Sequence, residues 1–104
     1  WEGCSIDYSL IYMKQMYQQA QRAAAGKPVI ITETGWPSQG ESLGAAVPGY
    51  KNALKYFIDA ISWAKEDEIP MFYFSSFDES WKVSAEGSVG AYWGLWDQNH
   101  QLKF

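Results

Sequence analysis

One cysteine and one histidine occur in the 104 residues. Cys4 alone excludes an internal disulfide, and Cys4 with His100 cannot supply a cysteine- or histidine-based metal site. No metal and no cofactor is expected. No run of roughly 18 apolar residues exists, so no membrane span is predicted. Basic residues are also scarce, 8 against 12 acidic ones, and the net charge of -4 argues against a nucleic-acid partner. There is no Asn-x-Ser/Thr sequon and no Gly-rich phosphate loop.

Aromatic residues are plentiful at 17%, and hydrophobic residues at 47% imply a globular chain with one modest core. One domain over residues 1–104 is predicted. Leu10, Met13, Tyr17, Ala20 and Ala24 recur at spacings of three and four, predicting a helix over Ser9–Ala25 that is stopped by Gly26, as a left-handed cap, and Pro28. Val29–Thr32 is a β-branched run of the kind that forms a strand buried on both faces. Gln39–Val47 reads as a surface loop. Pro48 suits the first turn of a second helix reaching about Lys65, with Tyr50, Leu54, Phe57, Ile61 and Ala64 as its buried stripe. Met71–Phe74, continuing to Phe77, predicts a second buried strand, and Asp78–Phe104 an ordered loop. Helix, strand, helix, strand is the rhythm of parallel α/β architecture.

In such folds chemistry gathers at the carboxyl ends of strands. The first strand delivers Glu33. The second delivers Asp78 and Glu79, with Trp81 and Lys82 just beyond. Neighbouring strands would set Glu33, Glu79 and Lys82 around one cleft. A carboxylate can attack an anomeric carbon and stabilise the charge developing on a sugar ring. Trp and Tyr faces suit the C–H faces of sugars, and a nearby ammonium favours the ionised carboxylate. These features fit glycoside chemistry, and they also fit a structural ion pair and a strand-end cap. Asp78 reads as structural, and His100 and Cys4 as incidental.

Val29-Ile30-Ile31-Thr32-Glu33-Thr34-Gly35-Trp36-Pro37-Ser38 closely resembles the nucleophile motif of glycoside hydrolase family 17, the β-1,3-glucanase family. Phe74-Ser75-Ser76-Phe77-Asp78-Glu79-Ser80-Trp81-Lys82 resembles the segment on that family's last strand, and Trp1-Glu2-Gly3 with Trp93-Gly94-Leu95-Trp96-Asp97 looks like its microbial branch. The resemblance covers essentially the whole chain. It implies the C-terminal fragment of a (β/α)8 TIM barrel: helix 6, strand 7, helix 7, strand 8 and the following loop. A full barrel needs about 250 residues. The chain opens on Trp1 and ends at Phe104 beside a motif-dense stretch, and a piece of something longer is expected.

By the same resemblance, Glu33 is the nucleophile of a retaining endo-β-1,3-glucanase, extracellular or in the cell wall. Glu79 and Lys82 support it, and Trp1 is a sugar-stacking platform. As aromatics near the cleft, Trp36 and Trp81 are further candidates to contact β-1,3-glucan polysaccharide or oligosaccharide, Trp36 chiefly packing the turn after Glu33 and Trp81 serving core or sugar. The family's general acid/base sits on strand four, which is not in this chain, so the fragment alone is predicted inactive. Its open strand edges predict marginal stability or self-association. A β-1,3-glucan transferase and a non-catalytic glucan-binding remnant are the rival readings, with an unrelated doubly wound α/β domain behind them.

Overall fold

The computed structural model describes residues 1–104. The elements run α1 (Ile6–Ala24), β1 (Ile31–Thr34), α2 (Tyr50–Glu66) and β2 (Met71–Tyr73), then a 3-10 turn at Ser80–Lys82 and a short helix α3 (Val83–Glu86). β1 and β2 pair in parallel and form the entire two-stranded sheet. The chain is a small α/β unit in the predicted order, with several boundaries moved.

Helix α1 starts ahead of the expected Ser9, and Asp7 in its first turn suits the positive end of the helix dipole. Its left-handed cap falls on Ala25 (φ 49°) instead of Gly26, which follows with φ 88°. Pro48 lies just outside α2, because Gly49 is the N-cap. The stripe of α2 is also rotated from the prediction. Ala53, Tyr56, Ala60 and Trp63 are buried, whereas Tyr50 is exposed and Leu54, Phe57, Ile61 and Ala64 are half-buried. Alanines add little weight to a hydrophobic pattern, yet Ala53 and Ala60 are buried in one cluster with Trp36, Ala46 and Tyr56.

β1 sits two residues later than predicted, so Glu33 lies inside the strand. Its frame is set by the ladder: Ile31 N–H donates to the Pro70 carbonyl (2.9 Å), and Phe74 N–H to the Thr34 carbonyl (2.8 Å). Neither strand is buried on both faces. Met71 and Tyr73 pack against the helix-side core, while Phe72 between them is 66% exposed. Phe77 falls outside β2 and forms an isolated bridge to Trp96.

The register pairs Ile31 with Met71 and Thr34 with Tyr73, with an irregularity between. Two residues of β1, Thr32 and Glu33, therefore stand opposite the single Phe72. A bulge of this kind re-aims a side chain. Thr34 turns to the helices, where its hydroxyl meets the Tyr56 hydroxyl at 2.6 Å, and Glu33 is left on the uncovered side.

The core combines Trp36, Ala46, Ala53, Tyr56 and Ala60, with Trp1, Ile6, Met13, Met71, Tyr73 and Phe104 around them. Ala46 is fully buried inside the stretch expected to be a surface loop. That loop turns back at a Leu43–Ala46 bridge and closes over the turn that follows β1.

Candidate active site

The end of β1 is held from below. Thr34 bonds Tyr56, and both hydroxyls also reach the Met13 sulfur at 3.4 Å. Burial raises the pKa of Tyr56, and raises that of Tyr73 strongly, so both phenols stay neutral in this layer. The segment Gly35–Ser38 is buried throughout. Only glycine fits position 35, because a Cβ there would overlap the Phe74 carbonyl of the neighbouring strand. The turn that follows Glu33 is thereby pressed against the end of β2.

Beyond β2 the chain passes a cis peptide bond between Phe74 and Ser75 and runs alongside residues 91–96. Ser75 N–H donates to the Trp93 carbonyl (3.0 Å), Asp78 N–H to Trp96 (2.9 Å) and Glu79 N–H to Ala91 (3.2 Å). The 3-10 turn then brings Lys82 back, with its ammonium 2.6 Å from the Glu79 carboxylate. That ammonium also lies 4.4 Å above the Phe74 ring and 5.4 Å from Trp81.

Trp93 joins the two halves. Its ring meets Trp1 edge-on (6.0 Å) and Phe74 (5.8 Å), and it lies beside Gly35. An aromatic floor of Trp1, Trp93 and Phe74 thus extends from the Glu33 turn to Lys82. Glu33 is exposed and takes part in none of the chain's three ion pairs. Glu79 and Lys82 are directly paired. No bond ties Glu33 to that pair, and neither Glu79 nor Lys82 lines the cavity beside β1 that Glu33 lines.

The tryptophans divide by burial. Trp81 is 70% exposed and offers an open face. Trp1 is half-buried, edge-on to Trp36 at 5.0 Å. Trp36 is corrected as a substrate platform: at 2% exposure it is core, its ring set between Trp1 and Tyr56, its indole N–H donating to the Val47 carbonyl (2.9 Å). A face already covered by protein cannot stack on a sugar.

A cavity of about 320 Å³ opens beside β1. Glu33, Trp1 and Glu2 are among the residues that line it. The remainder is an apolar trough between α1 (Met13, Met16, Tyr17) and the free edge of β1. Glu2 was not singled out from the sequence, although it stands beside Trp1 in the opening motif. Its carboxylate accepts a hydrogen bond from Tyr12 (2.7 Å), which raises the Tyr12 pKa. Lys103 and Ser38 were also missed. Lys103 Nζ donates to Asp78 Oδ1 (2.6 Å) and to Ser38 Oγ (2.9 Å), well inside the protein. No local pattern marks a lysine for burial; only its distant partner does.

Residues 1–94 match the family described as the BtgE/BtgC glycoside hydrolase domain. A glucan 1,3-beta-glucosidase of Candida albicans is 33% identical over 96% of the chain, and the chain spans 34% of that relative's length. A cell surface mannoprotein of the same species is 37% identical over 82% of the chain, which spans 22% of it. A solved structure of a glycoside hydrolase family 17 β-1,3-glucanosyltransferase from Rhizomucor miehei is 36% identical, with a TM-score of 0.90 over 98% of this chain and 37% of that one. An active-site mutant of the same enzyme has been solved in complex with laminaritriose.

Proposed function

The chain belongs to the BtgE/BtgC glycoside hydrolase domain family and to glycoside hydrolase family 17, and from that premise we propose that it carries the nucleophile half of a retaining β-1,3-glucan-active site. It would form helix 6, strand 7, helix 7, strand 8 and the last loop of a (β/α)8 barrel, residues 1–104 being the C-terminal part of one catalytic domain. The observation that carries this reading is the bulge in β1, which leaves Glu33 unpaired and uncovered beside an aromatic floor.

In this scheme the Glu33 carboxylate attacks the anomeric carbon of a β-1,3-linked glucose. The glycosidic oxygen leaves with a proton donated by a carboxylic acid on strand four, outside this chain. Water then hydrolyses the glycosyl ester, with that second carboxylate acting as base. In the assembled barrel Lys82 and Glu79 would act as a charged pair that supports the nucleophile, although neither lines the cavity beside β1. Trp1 lines it and Trp81 offers a stacking face.

A Glu33→Gln substitution in a full-length protein tests the assignment. Turnover of laminarin should vanish while oligosaccharide binding remains. Unchanged turnover would remove Glu33 from the mechanism, and no wild-type turnover with intact binding would favour the glucan-binding remnant.

Transfer is the second reading, supported by the likeness to a glucanosyltransferase and by the open face of Trp81. Products longer than the supplied oligosaccharide would establish it over hydrolysis. The likeness to a cell surface mannoprotein supports an extracellular or cell-wall location. The isolated chain should neither cleave laminarin nor remain monomeric. Exposed Ile30 and Phe72 and the apolar trough at the β1 edge favour further strand pairing. A compact, stable monomer in size-exclusion chromatography would overturn the last point.

A further inference from the structure

The Lys103 side chain is 1% exposed and its partner Asp78 9%. Lysine is almost never this buried without a partner, and desolvating both ions costs several kcal/mol per ion unless hydrogen bonds compensate. Here they do. The ammonium bonds Asp78 and Ser38 and lies 6.0 Å from the Tyr50 ring. The same Asp78 oxygen accepts the Gly94 N–H at 2.9 Å. The tail that delivers Lys103 is itself built for the task. Asp97 closes its turn by accepting N–H bonds from Asn99 (2.8 Å) and Gln101 (3.0 Å), and Lys103 N–H returns to the Leu95 carbonyl (3.0 Å).

The two anchors of this lysine stand in informative places. Ser38 ends the buried turn that follows Glu33, and Asp78 is the residue before Glu79. We propose that Lys103 is a positioning residue: its buried ammonium locks the Glu33 turn to the loop carrying Glu79 and Lys82, and so sets their separation. This rests on the assignment of Glu33 and Glu79 to the site. It adds a group beyond residue 94, where the family match ends.

The test uses full-length protein with Lys103→Met, Lys103→Arg and wild type, read in two independent ways. The first is kinetic. Lys103→Met should lower kcat on laminarin by about 10–100-fold per folded molecule with KM changed less than about threefold, and Lys103→Arg should recover part of the loss. The second is amide hydrogen exchange, which needs no activity. In Lys103→Met, segments 35–40 and 78–94 should exchange about tenfold faster, with α2 unchanged. Wild-type protein inert on laminarin would sink the functional assignment and leave the exchange arm to decide the clamp. Loosening confined to 95–104, uniform acceleration that includes α2, or a lowered melting temperature with unchanged kcat would overturn it.

Discussion

Two adjacent carboxylates in the segment that follows β2 meet opposite fates. Asp78 turns inward and pairs with a lysine that water cannot reach; Glu79 turns outward and pairs with Lys82 at 36% and 12% exposure. Both ion pairs are 2.6 Å long, so distance does not distinguish them. Surroundings do. The inner pair spans 25 positions of sequence and is closed by Ser38 and the Gly94 N–H, so it welds loops together. The outer pair joins neighbours on one turn and remains partly open to solvent. One step along the chain separates a charge sealed inside the protein from one left partly exposed.

That contrast can be broken at several points. The largest effect should come from the charge with no partner. Glu33→Gln should lower kcat by roughly 10⁴-fold or more, as loss of a nucleophile does, while the melting temperature stays near wild type. A drop in stability with little change in kcat would move Glu33 to the structural side of the comparison.

Next comes the inner pair. Asp78→Asn leaves the Lys103 ammonium buried without its counter-charge, and the expected loss is about 3–5 kcal/mol in denaturant unfolding. Glu79→Gln should instead cost no more than about 1 kcal/mol, since the Glu79 end of the pair is open to water and screened by it. Its effect should fall on kcat, on the order of 10–100-fold. Equal stability losses for the two variants would erase the distinction between the two pairs.

Buried groups without charge extend the same logic to pH. Burial raises the folded-state pKa values of Tyr73 and Tyr56, so the folded protein retains phenol protons that the unfolded chain releases above about pH 10. Their contribution is complete below that pH and is lost as pH rises past it. Melting temperatures measured from pH 8 to 11 should fall in wild type near the upper end, and less steeply in Tyr73→Phe.

The sequence revealed the element order and the parallel pairing, because β-branched runs and turn formers act locally; the strand-end placement of the carboxylates shifted, Glu33 falling inside β1 and Asp78 and Glu79 well beyond β2. It did not reveal which side of α2 is buried. Ala53 and Ala60 are weak in any hydropathy pattern, and their burial depends on Trp36 and Ala46 arriving from a distant turn. The bulge that frees Glu33 was equally hidden, being a property of the pairing with β2 and not of β1 alone. Trp36 was read partly as a ligand platform since aromatic side chains serve core and sugar alike. Lys103 could not have been found, as nothing near it in sequence signals burial.

The smallest effect belongs to a third ion pair, Lys55–Asp59 on the outer surface of α2, 2.7 Å long with 44% and 32% exposure. It has the i,i+4 spacing that stabilises helices by about 0.3–0.5 kcal/mol in low salt. The hydrogen bond to Asp59 raises the Lys55 pKa, so the small contribution persists through neutral pH and fades only in strong alkali. Lys55→Ala should therefore shift stability by a few tenths of a kcal/mol at most, and molar salt should abolish the difference. The Asp78–Lys103 pair should keep most of its effect in the same salt, because ions cannot screen a contact they cannot reach. A Lys55→Ala loss as large and as salt-resistant as that of Asp78→Asn would mean that burial is not what ranks these pairs.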